Sequence, residues 1–405
     1  MRLLYITREE FPTHRVDVSV LFAELLAGKG HTIDFVMQAG APVEKSSIVL
    51  WERSTVFVGP SSATEGFGRW RKLWLAFRHE LHCLREASRD RYDAVQVRDK
   101  FVMATIALAF AQRRGQKFFF WLSFPYPEDD QLRSRDARGG MRLFLKFRGL
   151  LSAWLLYRVI LPRCDHAFVQ SAQMLRDLEG RGARAERMTP VPMAVRTREI
   201  ATGLAAKVPD RFRPVIGYLG TLNHARHLED LVDMLALLHA RGCRAQLLLI
   251  GDGDSPADRK IIVARAAALG VQEHVVITGF MPRDAALERL REAHVCISPI
   301  YPAPMFRPGS PTKLIEYMAQ GYPVIANDHP EQQAILRASR AGVCTPWGAR
   351  HFARGILWLL NCSAERREAM ARAGQEWVRG NRTYEQIVDR LEQKYLALLD
   401  VRRLP

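Results

Sequence analysis

The chain has 405 residues, 48% of them hydrophobic and 25% charged, a balance typical of globular proteins, and its length favours two domains over one. Six scattered cysteines form no C-x-x-C pair, which favours a reducing compartment and argues against a structural zinc site. The longest apolar stretches, 101–111 and 149–161, are shorter than the roughly 20 residues that cross a bilayer, so no transmembrane span is expected.

The formal net charge is +16, and residues 1–200 hold 32 basic against 22 acidic residues. Within them, 69–91 and 133–158 interleave Arg and Lys with Trp, Leu and Phe. This pattern is typical of amphipathic helices on an anionic membrane surface, and an ordinary solvated basic face is the alternative. No helix-turn-helix, zinc-finger or RNP pattern is present, so no nucleic-acid partner is expected. The expectation is a cytoplasmic protein, peripheral on the inner face of the cytoplasmic membrane.

The first half alternates strand-like and helix-like stretches. Its opening residues, MRLLYIT, predict a strand and not a signal peptide, because acidic residues follow and no small-residue cleavage site appears. Helices are predicted over 18–30 and 101–113. Strands are predicted over 2–7, 32–38, 94–98, 117–123 and 166–171.

The second half restarts the same alternation after a linker placed at 197–214. Strands alternating with helices predict an α/β fold of two doubly wound, Rossmann-like sheets, with ligands at the carboxyl ends of the strands. The expected divisions are an N-terminal Rossmann-like domain (1–200), a C-terminal Rossmann-like domain (201–382) and a C-terminal helix region (383–405). Strands are predicted over 214–222, 245–253, 274–282, 294–301 and 322–328, and helices over 228–242, 284–293 and 384–399.

The segment SPTKLIEYMAQG, residues 310–321, predicts a short helix with Ser310 as N-cap, Pro311 in the first turn and Gly321 at its end. A helix N-terminus after a buried strand binds anions. Lys313 lies in the first turn, where a positive charge is unfavourable for the helix dipole, which suggests that the lysine pairs with a bound anion. Glu316, one turn further on, can accept hydrogen bonds from a ribose diol. Phosphate with ribose indicates a nucleotide, whereas the alternative is that both are solvated surface charges.

Several motifs in order carry a family resemblance: YLGTLNHARHLEDL, LLLIGDG, VVITGFMP, CISPIY and KLIEYMAQGYPVIA. Over about 214–382 they resemble the nucleotide-sugar domain of the retaining GT-B glycosyltransferases of family 4. The first half is similar more loosely, through its opening strand, the helix ending GKGH, and AFVQSAQML. The resemblance implies two Rossmann-like domains facing a central cleft, with the final helix crossing back to the first domain.

The resemblance also implies roles for individual residues. Glu316 aligns with the second glutamate of the family's E-x7-E motif, which holds the donor ribose. Arg226 stands where the family usually has a lysine on the diphosphate, and Phe280 and Met281 follow the backbone that reads the base. The implied catalytic residues are Arg226, Lys313 and Glu316. The implied donor site consists of Gly220, Thr221, Arg226, Gly251, Phe280, Met281, Ser310, Pro311, Thr312, Lys313, Leu314 and Glu316.

Two departures from the family pattern leave the donor sugar open. Pro308 stands where the first motif glutamate would contact the sugar, and Thr221 replaces an arginine that often follows the glycine. Acceptor contacts are expected from residues at strand ends of the first half, for which solvated loop side chains are the alternative. These acceptor candidates are His14, Arg15, Arg98, Ser123 and Asp129.

The resulting expectation is a retaining glycosyltransferase that moves a sugar from a UDP- or GDP-sugar to a hydroxyl acceptor, lipid-linked or part of a polysaccharide. No cofactor and no metal are expected, since the donor is a substrate. Two alternatives stay open: a nucleotide-sugar 2-epimerase on the same fold, and a non-catalytic nucleotide-sugar-binding partner subunit. The base, sugar, acceptor and oligomeric state are not indicated by the sequence.

Overall fold

The structure is a computed structural model and describes residues 1–13, 15–63, 67–87, 90–203 and 213–399. The chain divides into two compact units. The first contains residues 1–192 together with the segment that starts at Tyr384, and the second contains Met193–Thr383. The first unit thus ends before the boundary placed after residue 200, and the final helix belongs to it.

The first unit is built on an eight-stranded sheet with the order β3-β4-β2-β1-β5-β6-β7-β8. All neighbours are parallel except β3, which runs antiparallel to β4 at the edge. The strand order reverses between β1 and β5, as in doubly wound sheets. The strands are β1 (Arg2–Phe11), β2 (Thr32–Ala39), β3 (Ser47–Trp51), β4 (Ser54–Gly59), β5 (Ala94–Arg98), β6 (Lys117–Leu122), β7 (His166–Val169) and β8 (Met188–Pro190).

The five strands predicted in the first half are confirmed, and each contains a largely apolar run of residues buried on both faces. The sequence reading missed β3, β4 and β8. Ile48 and Leu50 of β3 are 69% and 84% exposed, so this edge strand lacks the buried pattern that marks the others.

Helices cover the sheet of the first unit. The final one, α15 (Tyr384–Leu398), is anchored there by Tyr395. This side chain is buried against Phe119 and Phe168, with ring centroids 5.3 and 4.8 Å away, and it hydrogen-bonds Gln96. The helices are α1 (Val16–Val18, continuing as π-helix over Ser19–Leu26), α2 (Phe67–Glu86), α3 (Phe101–Arg114), α4 (Tyr126–Asp136), α5 (Gly139–Trp154, continuing as π-helix over Leu155–Ile160), α6 (Leu161–Arg163), α7 (Ala172–Glu179) and α15 (Tyr384–Leu398).

The second unit has a six-stranded, wholly parallel sheet with the order β11-β10-β9-β12-β13-β14. Its order reverses at β9, so the carboxyl ends of β9 and β12 form the switch point where such sheets bind ligands. The five strands predicted here are confirmed, and the edge strand β14 was missed. The strands are β9 (Val215–Leu219), β10 (Gln246–Ile250), β11 (Val275–Ile277), β12 (Val295–Ser298), β13 (Val324–Asn327) and β14 (Gly342–Thr345).

Apolar clusters fill both faces of this second sheet. Leu247 and Leu249 of β10 pack in one cluster, and Leu248 and Ile250 in the other, since side chains alternate along a strand. The helices are α8 (Glu229–His239), α9 (Pro256–Ala268), α10 (Arg283–Leu290), α11 (Thr312–Ala319), α12 (Pro330–Ser339), α13 (Ala349–Asn361) and α14 (Ala364–Asn381). Among the helices of the described residues, none is long and apolar enough to cross a membrane.

Candidate functional site

Two glycines bring the ends of β9 and β10 together in the second unit. Gly251 has φ 137°, and a Cβ there would lie 2.1 Å from the carbonyl oxygen of Gly220. Gly220 has φ 142°, and a Cβ there would lie 2.2 Å from Cε of Lys313. Both positions therefore require glycine, for their conformation and for the close approach of backbone and lysine. The two residues named from the sequence have a direct geometric function at the switch point.

The predicted helix over 310–321 is confirmed as α11, but its start differs. Pro311 is the N-cap, and the predicted cap Ser310 is wrong, since its hydroxyl instead accepts the Met193 N–H at 3.0 Å. The helix ends at Ala319 with Gly321 in the left-handed region at φ 75°, as expected from the glycine.

The N-terminus of α11 points free donors away from the helix. Within the described residues, the backbone N–H groups of Lys313 and Leu314 have no hydrogen-bond acceptor. Thr312 N–H is already bonded to the Ser310 carbonyl at 3.0 Å. The remaining donors and the positive end of the helix dipole favour an anion at this position.

Lys313 is half-buried beside these donors, with Nζ 5.3 Å from the centroid of the Tyr218 ring. Among the described residues its ammonium has no hydrogen-bond or carboxylate partner. Burial, and after it the charge of Arg226, lowers the pKa of Lys313 to about 7. A cation that is desolvated without a counter-ion is costly, and a bound anion would relieve that cost.

Arg226 supplies the second cation of the site. It ends the 3₁₀ turn His224–Arg226, and its Nε donates to the Thr221 hydroxyl at 2.9 Å. Within the described part of the chain, no carboxylate lies within 4 Å of its guanidinium. Thr221, the residue that departs from the family arginine, therefore orients Arg226.

Glu316 is buried on α11, where one carboxylate oxygen accepts a hydrogen bond from Arg283 Nη1 at 2.6 Å. Arg283 also lies 3.4 Å from Glu199. Sequence reasoning named Glu316 and missed Arg283, because a first-turn arginine of another helix carries no motif. α11 is held against β9 by the Leu219 N–H, which donates to the Tyr317 hydroxyl at 2.8 Å.

Phe280 and Met281 follow the short strand β11 at the same sheet. Phe280 is 86% exposed, whereas Met281 packs against the apolar cluster beneath. The Thr278 hydroxyl accepts the Gly251 N–H at 3.2 Å, which ties this loop to the end of β10. An exposed aromatic ring beside a tethered backbone can cover a planar base.

The residues after β12 and β13 form a cavity that the sequence reading did not assign. Its volume is about 340 Å³, and Tyr301, Arg307, Asn327 and His329 are among the residues that line it. Asn327 joins the two loops, since its side chain donates to and accepts from the backbone of Ile300 at 2.9 and 2.8 Å. These cavity residues are distributed over two loops, so they form no short sequence motif.

In the first unit, Arg98 was expected to contact an acceptor, but the structure gives it no surface for one. Its side chain is 0% exposed, and Nη2 donates to Asp17 at 2.7 Å. Asp99 and Glu9 lie 3.6 and 3.7 Å from its Nε. Because these carboxylates surround it, Arg98 acts here as the buried counter-ion of an acidic cluster.

Ser123 and Arg15 border the same cluster. The backbone N–H of Ser123 donates to Asp99 at 2.9 Å, and its hydroxyl donates to the same carboxylate. Arg15 is partly exposed and pairs with Asp17 at 3.3 Å. It lines an open cavity of about 510 Å³ together with Arg8 and Tyr126.

Two acceptor candidates remain, Asp129 and His14. Asp129 lies in the first turn of α4, where partial burial raises the pKa of its carboxyl, and Arg133 lies 3.8 Å away. His14 lies outside the described residues. Asp17 and Asp99, which lie beside Arg98 at this edge of the sheet, were missed from the sequence because their burial has no local signature.

Comparison with known families accounts for both units. Residues 18–199 match the family model "Glycosyltransferase Family 4", and residues 213–362 match the model "Glycosyl transferases group 1". The chain belongs to the group 1 glycosyltransferases of the GT-B type. The expected fold class is thereby confirmed, since the solved structures that share these two mainly parallel α/β sheets are GT-B glycosyltransferases.

One curated relative and two solved structures illustrate the similarity. The 2-deoxystreptamine glucosyltransferase of Streptomyces kanamyceticus is 31% identical over 114 residues, and the match spans 28% of either chain. Sucrose-phosphate synthase of Thermosynechococcus elongatus superposes with a TM-score of 0.75 at 18% identity, covering 99% of this chain and 100% of that one. HepE of Anabaena, solved with UDP-glucose, gives 0.68 at 14% identity, covering 98% and 100%. At such identities the structures show the shared fold.

Proposed function

We propose that the protein transfers a glycosyl group from a nucleotide-diphosphate sugar, a UDP- or GDP-sugar, to a hydroxyl acceptor. The observation that carries this proposal is the pair of unneutralised cations, Lys313 and Arg226, beside the free N–H groups that begin α11. A diphosphate supplies the negative charge that this arrangement lacks. In support, the similarly folded HepE is described in complexes with UDP and with UDP-glucose.

The remaining donor groups follow from the same edge of the second sheet. Glu316 keeps one carboxylate oxygen without a partner among the described residues and would accept the ribose hydroxyls. The Phe280 ring, 86% exposed, would cover the base. The sugar itself would lie toward the loops after β12 and β13, where Pro308 stands in place of the motif glutamate.

The chemical step we propose is substitution at the anomeric carbon with retention of configuration. As the bond to the leaving diphosphate breaks, its oxygens gain charge, which Arg226, Lys313 and the N-terminus of α11 would stabilise. A diphosphate oxygen on the same face would take the proton of the acceptor hydroxyl. Because these cations supply positive charge at the leaving group, we propose that no metal ion is needed, and activity in a chelator tests this.

For the acceptor, we propose a lipid-linked or polysaccharide intermediate, met at the inner face of the cytoplasmic membrane. Arg15 is the predicted acceptor residue that lines an open cavity, with Arg8 stacked over Tyr126 at 4.1 Å beside it. Ser123 and Asp129 stay predictions for acceptor contact. The basic helices of the first unit support the membrane setting.

The test is a calorimetric and thermal-shift screen of UDP, GDP and their common sugar conjugates on the parent protein, Glu316→Ala and Arg226→Ala. We expect selective stabilisation by one base, weakened in both variants, because each loses a polar contact to the donor. Failure of every nucleotide to bind would overturn the proposal. Binding with neither transfer nor hydrolysis would favour a non-catalytic subunit. Conversion of the donor to its epimer in the absence of acceptor would favour an epimerase.

A further inference from the structure

The first unit carries a large apolar surface that nothing in the proposed chemistry uses. It is formed by α2 and α5, and we call it the α2–α5 face. It is defined by Trp70, Leu73 and Trp74 of α2 and by Leu143, Phe147 and Trp154 of α5. Each of these six side chains is more than half exposed, between 56% for Leu73 and 70% for Leu143. Globular proteins seldom leave so many large apolar side chains together in water without a partner.

The orientation of α5 shows that this exposure is built into the fold. The residues of α5 that are buried are Leu145 and Gly149. A Cβ on Gly149 would lie 2.9 Å from a side-chain carbon of Gln131 and 3.0 Å from the carbonyl oxygen of Pro127, so α5 packs against α4 through its narrowest face. The wide apolar stripe, with residues 143, 147, 150 and 154 spaced three and four apart, is left outside.

The two helices form one continuous surface. The rings of Trp70 on α2 and Phe144 on α5 meet edge to face, with centroids 6.1 Å apart. α5 is fixed in place by the ion pair between Arg148 and Asp130 on α4. It continues directly into the buried residues Leu155 and Leu156 of the core. The face is therefore presented by an anchored helix pair.

Charge decides which partner this surface fits. Residues 137–164 contain six Arg or Lys and no Asp or Glu, and residues 67–79 also lack acidic residues. Arg71 and Arg78 on α2, with Arg142 and Lys146 on α5, are exposed and have no acidic partner within 4 Å among the described residues. A second copy of this chain would place like charges opposite one another, whereas anionic lipid headgroups would neutralise them.

We propose that the α2–α5 face docks on an anionic lipid bilayer, with its apolar side chains among the upper acyl chains and its basic side chains among the headgroups. This is the placement of an interfacial amphipathic helix. Trp70, Trp74 and Trp154 suit the boundary between headgroups and acyl chains. The proposal deepens the proposed function, since a lipid-linked acceptor gives the protein a reason to work on a bilayer, but its test needs neither donor nor acceptor.

The experiment measures partitioning of the full chain onto vesicles of equal parts phosphatidylglycerol and phosphatidylcholine, with pure phosphatidylcholine vesicles as comparison. The double variant Leu143→Ser/Phe147→Ser removes apolar contact area, and we expect its partition coefficient to fall at least about tenfold. The matched control is Ile48→Ser/Leu50→Ser, which removes two large apolar side chains, at least as exposed, from β3 of the same unit. This control should bind as the parent does.

A charge variant tests the second half of the proposal. Arg142→Gln/Lys146→Gln should weaken binding to the anionic vesicles by about fivefold per charge. Added salt should reduce binding of the parent in the same direction. Unaltered thermal unfolding of each variant shows that it is folded, which is expected because the changed side chains are exposed.

Three results would overturn this docking proposal. The first is a parent protein that binds neither vesicle type. The second is equal loss of binding in the β3 control, which would make the effect non-specific. The third is a parent protein that is a dimer by light scattering and does not bind vesicles, while the variant Leu143→Ser/Phe147→Ser is a monomer. The face would then be the contact between two copies of the chain. The protein can still bind the nucleotide sugar at α11 under each of these three results. Failure of membrane docking is therefore distinguishable from failure of the proposed glycosyl transfer.

Discussion

The carboxyl edges of both sheets carry arginine or lysine side chains, but these cations are neutralised differently. In the first unit, Arg98 is buried and its charge is matched by Asp17, Asp99 and Glu9 within 3.7 Å. In the second unit, Lys313 and Arg226 have no carboxylate within 4 Å among the described residues. A cluster of paired opposite charges is typical of a structural role, whereas a pair of cations without carboxylate partners is typical of a site for an anionic ligand.

The largest effect that tests this comparison is expected from Arg98→Met. Removal of the cation leaves Asp99 buried without its arginine partner and Asp17 paired with Arg15 alone, which should reduce the free energy of unfolding by about 3–5 kcal/mol. Urea denaturation followed by circular dichroism measures the change. The control is Arg113→Met, an exposed arginine of α3 that should be nearly neutral. If Arg98→Met were as stable as the parent, the acidic cluster would not depend on Arg98.

The counterpart in the second unit is Lys313→Gln, which should affect binding and spare stability. Loss of a charged hydrogen bond to the diphosphate should weaken nucleotide-sugar binding by about tenfold to a hundredfold. The free energy of unfolding should be unchanged or slightly higher, because an unpaired, desolvated charge is removed. Calorimetry gives the affinity and urea denaturation the stability, with Lys260→Gln on the exposed face of α9 as control. A stability loss like that of Arg98→Met would erase the difference between the two edges.

The depressed pKa of Lys313, about 7, predicts opposite pH dependences for stability and for binding. Between about 7 and the usual 10.5 the unfolded chain binds more protons at this lysine than the folded chain, so its contribution to stability rises with pH. A bound diphosphate favours the charged lysine and raises its pKa, so donor affinity should fall by about tenfold from pH 6 to pH 9.

Measurement of that pH profile uses a nucleotide sugar, because its diphosphate has no proton to lose in this range. Lys313→Arg keeps its charge throughout and should give a nearly flat profile. Calorimetry in buffers of different ionisation enthalpy should show proton uptake on binding to the parent above pH 7. A parent profile as flat as that of Lys313→Arg would mean that the lysine does not titrate in this range.

What the sequence could predict follows from the same contrast. Periodicity and buried apolar runs gave most of the parallel strands of both units but not β4, β8 or β14, and the glycines and the lysine of α11 marked the second edge. Gly220 and Gly251 directly follow β9 and β10, and Lys313 lies in the first turn of a helix marked by its own proline and glycine, so local pattern was enough. The exposed strand β3 and the helix start at Pro311 depended on tertiary contacts, including the hydrogen bond from Met193 to Ser310.

The first edge was less predictable for a physical reason. Arg98 follows a strand as a ligand-contacting residue would, and its burial arises from Asp17 on α1 and Asp99 at φ 57°. Neither acidic residue is distinguishable in sequence from a solvated one. The partner of Glu316 was hidden in the same way, because Arg283 comes from another helix. Charge pairing across elements is a property of the fold, and local spacing does not encode it.

The smallest effect that sharpens the comparison is expected from Thr221→Val. The change keeps the side chain's shape but removes the hydroxyl that accepts from Arg226 Nε at 2.9 Å. Arg226 keeps its charge and loses one orienting bond, so donor affinity should fall by about twofold to tenfold. Stability should stay within about 0.5 kcal/mol of the parent, since Thr221 is exposed. In Arg226→Ala the same change should add nothing further, because a hydroxyl that acts through Arg226 has no effect once the guanidinium is gone. An equal loss in both backgrounds would place Thr221 in direct contact with the donor instead.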